Sequence, residues 1–188
     1  METHGHETFD ISELLDRAGL TRGQIDALQR TGYFMQPASK GHHLAHPGGL
    51  AEHSANVAAR LAQITMSLGV RWPRPESPYI VGTLHDLVKC TCYRLVSGEH
   101  EEPKYEYVQP PYPGHGACSV AIAAELCIGL MREEAVAITY HMGVFGVGKE
   151  YTEREFNAAL DVFAPQIIAT CCADWYAARC DEECEVAV

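Results

Sequence analysis

Apolar residues at helical spacing recur from one end of the chain to the other, and this pattern constrains the fold more than any other feature. Between Leu50 and Leu68, the residues Leu50, Val57, Leu61, Ile64 and Leu68 fall on one stripe at about 100° per residue, and His53 lies at its edge. Upstream, Asp10 can cap ISELLDRAG, and Thr21-Arg22-Gly23-Gln24 has the capping-box pattern in front of a segment carrying Ile25 and Leu28. Downstream, RWPRPESP breaks the chain, and Ser77-Pro78 starts a helix read as running through YIVGTLHDLVKCTCY. Arg94 to Val108 reads as an exposed loop or ragged hairpin. A further helix is expected from Ala117 to about Leu130, with Val120, Ala124, Cys127 and Met131 on one face, and another from Arg132 to Met142. Thr152 to Glu155 is a capping box opening a helix through Phe163. Pro165 suits the first turn of a last helix, on which Ile167, Cys171, Asp174 and Ala178 share a face. The expectation is an all-α, single-domain bundle of about eight helices, with residues 1–36 packed on the domain formed by 37–188.

Length and composition limit what such a bundle can do. The chain has 188 residues, 47% of them hydrophobic and 21% charged, as in a soluble globular domain. No unbroken apolar run approaches the roughly 18 residues of a membrane span. METHGHETFD lacks the basic and apolar regions of a secretory signal, so a cytoplasmic address is expected. The formal charge of −11 argues against holding nucleic acid by neutralising many phosphates, though a bound metal ion would invert the local field for a small anionic substrate. The 8 Cys are read as free thiols in a core that needs no staples. The 10 His are more informative because they are not scattered.

His53, the adjacent pair His85-Asp86, and Asp174 all lie on helix faces that otherwise read as buried. An ionised carboxylate in such a place needs a cation, a strong hydrogen-bond set or a metal. One buried His is usually a hydrogen-bonded core residue. Three helices each turning imidazole or carboxylate inward supply the ligand set of a divalent first-row metal. His115, between two glycines at the mouth of a helix, and His141, one turn beyond Ile138, extend the group.

With these residues in order, the sequence resembles the HD superfamily of metal-dependent phosphohydrolases, marked by a lone His, a His-Asp doublet and a distant Asp. Here these are His53 in GGLAEHSANV, His85-Asp86 in LHDLVK and Asp174 in CCADWYA, accompanied by GHGACS and YHMGVFG. The resemblance spans roughly Ser39 to Ala178. It implies that His53, His85, Asp86 and Asp174 bind one divalent ion, and that His115 and His141 hold a second, with Asp86 bridging. Mn, Fe, Co, Ni or Mg suits this thiolate-free set. The alternative is a single ion, with His115 and His141 contacting substrate phosphate.

The implied activity is hydrolysis of a phosphoester by a metal-activated hydroxide, with a nucleotide or another small phosphorylated metabolite as substrate and short RNA as a conceivable one. Lys89, near one turn beyond Asp86, is implied as the phosphate contact, its alternative being a surface lysine. In similar proteins a His shortly before GGL lies near the active site, and His43, the best match by spacing, is implied as a substrate contact or as a residue supporting a ligand from behind, its alternative being an ordinary loop His. Glu52 could orient a ligand or simply face water. Lys40, His42 and His46 lie in the same turn-rich passage, and His46, His100, His4 and His6 receive no role. Two other functions share this ligand list: a di-iron HD-fold oxygenase and a non-catalytic ligand sensor.

Overall fold

The computed structural model describes residues 10–98, 102–112 and 114–182. It is an all-α bundle with one small two-stranded sheet. The helices are α1 (Ile11–Arg17), α2 (Arg22–Arg30), α3 (Gly49–Leu68), α4 (Ser77–Leu84), α5 (Lys89–Cys92), α6 (His115–Glu125), α7 (Arg132–Thr139) and α8 (Glu153–Tyr176). Strands β1 (Tyr93–Leu95) and β2 (Tyr105–Tyr107) form an antiparallel hairpin with Tyr93 opposite Tyr107.

Local chemistry sets three of the eight helix starts. Asp10 accepts from the Ser12 amide ahead of α1, and complete capping boxes at Thr21–Gln24 and Thr152–Glu155 open α2 and α8. The passage between α2 and α3 has no regular structure but is pinned at both ends. Leu50 N–H donates to Gln36 O at 2.9 Å, and the fully buried Tyr33 donates its hydroxyl to Thr83 O at 3.0 Å.

The long helix α3 lies at the centre, against α4 on one side and α8 on another; α7 packs between α6 and α8, and α1 leans on α3 and α4. Val57 and Leu61 of α3, Leu84 of α4 and Ile138 of α7 are fully buried in one continuous core. Each such side chain contributes about 1.5–3 kcal/mol. Gly82 sets the separation of α3 and α4, since a Cβ there would lie 2.6 Å from the Ala58 Cβ. Gly82→Ala is therefore expected to push the helices apart and to lower stability by about 1–3 kcal/mol, read by urea unfolding. An unchanged midpoint would show that the contact is not tight.

Four helix boundaries differ from the sequence expectation, on three helices. The helix expected through Tyr93 leaves α-geometry at His85, and its ladder tightens to i→i−3 bonds, including Leu87 N–H to Leu84 O and Lys89 N–H to Asp86 O. Helix α6 starts earlier, at His115, and stops at Glu125, where Cys127 takes a positive φ of 56°. Its buried face carries Gly116, Cys118, Ser119 and Ile122; Ala124, Cys127 and Met131 of the expected stripe are exposed. Helix α7 ends at Thr139, so His141 stands on the turn beyond it.

Helix α8 runs across Pro165 with non-helical angles at Phe163, a kink where proline cannot supply its N–H. It continues into a π turn, Ala177–Asp181, closed by Glu182 N–H donating to Ala177 O at 3.1 Å. Counted with that turn, the helix is 29 residues long, with a best-window hydropathy of 1.3, enough to cross a membrane by length and composition. A core helix of a soluble bundle meets the same measure, and this one carries Asp174 in the cluster described next.

Candidate metal centre

Five elements deliver the polar side chains to one place. His53 comes from α3, His85 and Asp86 from the tightened end of α4, His115 from the first residue of α6, His141 from the turn after α7, and Asp174 from α8. The i→i−3 turn lets His85 Nδ1 bond its own Gly82 carbonyl at 2.9 Å, which turns Nε2 toward the cluster. At the other end Gly116 allows α6 to approach the last turn of α7 backbone to backbone. A Cβ there would overlap the Ile138 and Thr139 carbonyl oxygens. The His115 and His141 rings consequently lie 5.5 Å apart, and Ser119 Oγ accepts the buried Val88 N–H at 3.0 Å.

The six residues divide into two groups. His53 Nε2 lies 3.2 Å from Asp174 Oδ1 and 3.3 Å from His85 Nε2, and His85 Nε2 is 3.8 Å from Asp174 Oδ1. Asp86 Oδ1 lies 2.5 Å from His115 Nε2 and 3.5 Å from His141 Nε2. Asp86 Oδ2 turns to the first group, 3.4 Å from His85 Nε2 and 3.6 Å from His53 Nε2, and also meets Lys89 Nζ at 2.5 Å. One carboxylate thus faces both groups with different oxygens.

Tautomers follow from the hydrogen bonds. With Nδ1 of His85 donating to Gly82 O and Nδ1 of His141 donating to Ile138 O at 2.7 Å, neutral rings present lone pairs at Nε2. Burial also holds His85 below the ordinary histidine range, opposed by Asp86. Its Nε2 lone pair therefore faces two carboxylates. His141 Nε2 is buried and makes no hydrogen bond among the described residues, its nearest acidic oxygen being Asp86 Oδ1 at 3.5 Å.

Burial would lower His53, yet the carboxylates of Asp174 and Glu182 outweigh it and push the ring up to about 9. One proton on His53 Nε2 can satisfy only one of the electron pairs gathered there. A divalent cation can satisfy several. Donor atoms held about 2.1 Å from one ion lie about 3.0–3.5 Å from one another, and the donor spacings in the two groups, 2.5–3.8 Å, bracket that range. The donor set fits, and each group could hold a metal ion. Loading the first group displaces the His53 proton, so affinity there should rise with pH toward about 9.

Asp174 and Asp86 are held well below the ordinary carboxylate range. Burial raises both, but the His53 hydrogen bond at Asp174 and the Lys89 charge at Asp86 prevail. Lys89 is likewise driven down by burial but held above its usual range by Asp86. Both partners are therefore charged. The side chains of Asp174, His115 and Lys89 keep 16%, 26% and 13% of their exposure, so the cluster is open to solvent on their side. A groove of about 480 Å³, walled by Phe145, Leu160, Ile168 and Trp175, also reaches His141.

The other sequence candidates take varied positions. The His43 ring packs 5.2 Å from that of His53, and its enclosed Nε2 lies 3.8 Å from Glu182. Glu52 does not turn toward the ligands. It is 52% exposed and pairs at the surface with His46. His4, His6 and His100 lie outside the described residues. The described cysteines are free, and none joins a metal-holding cluster among the described residues.

Sequence reasoning passed over Glu182, whose carboxylate is 2.9 Å from His53 Nδ1 and 3.0 Å from Asn56 Nδ2. An acidic run at the chain's end, DEECE, was its only trace. No protein-family model, curated protein or solved structure matches the chain.

Proposed function

We propose that this protein is a metal-dependent phosphohydrolase or phosphodiesterase of the HD superfamily, acting on a nucleotide or another small phosphorylated substrate. The observation that carries this reading is the division of Asp86: one oxygen toward His115 and His141, the other toward His53 and His85. A carboxylate so placed is suited to bridging two ions. In this reading His53, His85, Asp86 and Asp174 hold one, and His115 and His141 with Asp86 hold the other. When bound, a pair of Mn, Fe, Co, Ni or Mg ions supplies an activated water and neutralises charge on phosphoryl oxygens.

The chain's own groups complete the chemistry. Lys89, buried beside Asp86 yet on the open side of the cluster, carries a cation that can face a phosphoryl oxygen as charge develops on it. The carbonyl bonds from Gly82 and Ile138 keep His85 and His141 oriented as ligands rather than as free acid-base groups. His115, the most exposed of the six donors, stands on the solvent-open side of the cluster. The chain's net charge of −11 disfavours long nucleic acid, which ranks a small substrate above RNA.

The test is phosphate release from a panel of nucleotides and phosphodiesters by protein loaded anaerobically with Mn. Release is the expected result, and it would exclude the need for O₂ that a di-iron oxygenase has. Failure of the whole panel, together with an O₂-dependent reaction of iron-loaded protein, would overturn the proposal. Lys89→Met should lower kcat about 10²-fold with metal content unchanged, the size of effect of removing one oxyanion-stabilising donor. A kcat within twofold of the unaltered protein would take Lys89 out of the mechanism.

A further inference from the structure

The π turn at the end of α8 has a consequence beyond the six expected ligands. In an uninterrupted α-helix, the residue seven positions after Asp174 returns to nearly the same face, which would turn Asp181 toward the cluster. The π turn inserts one residue and hands that direction to Glu182. Asp181 instead forms a two-pronged ion pair with Arg60 of α3, Nε to Oδ2 and Nη2 to Oδ1, each at 2.7 Å. This fixes the turn against the same helix that carries His53. The Arg60 guanidinium also lies 4.5 Å from the Tyr176 ring centroid, which braces it from above.

Glu182 is thereby buried beside the first ligand, its side chain only 1% exposed. Both carboxylate oxygens face His53 Nδ1, at 2.9 and 3.1 Å, and Asn56, one turn along α3, holds one of them at 3.0 Å. A further neighbour is His43 Nε2 at 3.8 Å. A carboxylate accepting from Nδ1 compels that nitrogen to carry the proton and leaves Nε2, the atom facing Asp174 and His85, to donate electrons. His85 and His141 are held the same way by backbone carbonyls, whereas His53 has a carboxylate supplied from 129 residues away.

We infer that Glu182 is a positioning residue for the metal centre, setting the tautomer and orientation of His53 so that its Nε2 binds an ion. The inference rests on the metal reading above and adds to it that the end of α8 is part of the site. The interaction also makes metal uptake depend on the π turn being docked on α3.

The experiment uses the full chain stripped of metal, with Mn binding followed by calorimetry and the imidazole tautomer of His53 by ¹⁵N NMR. Glu182→Ala is expected to weaken Mn binding about 10- to 100-fold, the usual cost of losing a carboxylate behind a ligand histidine. Glu182→Gln, which keeps an acceptor and the volume, should lose less. Read at a pH above about 9, where the metal-free ring is neutral, the His53 signal should shift from the Nδ1-protonated form toward a tautomer mixture in the Ala variant.

Two failures are distinguishable. If the unaltered protein takes up no Mn or other divalent ion, the metal centre itself is refuted and this inference with it. If the unaltered protein binds Mn and Glu182→Ala matches it within twofold, the metal centre stands and the role of Glu182 falls. A lower unfolding temperature of the metal-free Ala variant with unchanged affinity and tautomer would likewise overturn the inference, because a purely structural contact would behave so.

Discussion

Asp86→Ala is expected to remove bound metal and to cut turnover by at least about 10³-fold. Among the described residues no other carboxylate faces both groups of donors, so the substitution takes one oxygen from each at once. Metal ions contribute several kcal/mol to phosphoryl transfer, and each 1.4 kcal/mol is about a tenfold change in rate. The loss also strands Lys89, which sits almost buried 2.5 Å from the missing carboxylate. For this reason Asp86→Asn, similar in volume, is the partner variant. It should fold normally by circular dichroism and still fail to retain metal. Elemental analysis of protein purified without chelator provides the reading, alongside the phosphate-release assay. Retention of both metal and activity in Asp86→Asn would eliminate Asp86 as bridge and the two-ion mechanism with it.

The second large effect lies outside the site. Glu134 of α7 is fully buried, and Arg74 meets it with two bonds of 2.7 Å, while Ser77 Oγ donates at 2.7 Å and the Met131 N–H at 2.8 Å. The four bonds tie the start of α7 to the proline-rich loop ahead of α4, and so help fix the distance between the His141 and His85 carriers. Glu134→Ala should destabilise the protein by about 3–5 kcal/mol, the cost of breaking a buried pair and leaving its cation poorly compensated. For a chain of this size that is a fall in Tm of roughly 6–20 °C.

Burial raises Glu134, but the bonds from Arg74, Ser77 and Met131 prevail and hold it below the ordinary glutamate range. A carboxyl whose folded value is depressed contributes its full stability above the unfolded pKa of about 4.3 and loses it as pH falls through the folded value. The unaltered protein should accordingly lose stability on acidification below about pH 4.3 more steeply than Glu134→Ala does. Parallel curves would show that the pair adds nothing.

Local physics explains which parts of this molecule could be read before folding. The capping boxes at Thr21 and Thr152 and the cap at Asp10 involve residues two or three apart, so their geometry is written in the sequence. Helix ends without a strong cap were less legible. The break at His85 depends on a side-chain bond to Gly82 and on Ser119 taking the Val88 amide, contacts that periodicity does not reveal. The stop at Glu125 and the exposure of Ala124 and Met131 depend on which face of α6 meets α7, a choice made by backbone contact at Gly116. Glu52 looked equivalent to its neighbour His53 in sequence, yet one residue along a helix is a turn of about 100°, and it faces water.

By itself, then, the sequence determined an all-helical chain and the kinds of atom available to the site, because helical periodicity, capping and donor chemistry are properties of single residues and near neighbours. The tertiary structure alone decided how those atoms meet. It brought His53, His85, Asp86, His115, His141 and Asp174 from five elements to within a few ångströms, left the His141 Nε2 without a hydrogen bond among the described residues, and split the oxygens of Asp86 between two groups. It also placed Glu182 behind His53, since the π turn that swaps Glu182 for Asp181 is held by Arg60, 121 positions away from its partner. Distances of that kind follow from the close approach of backbones and from long-range ion pairs, neither of which has a period to be read along the chain.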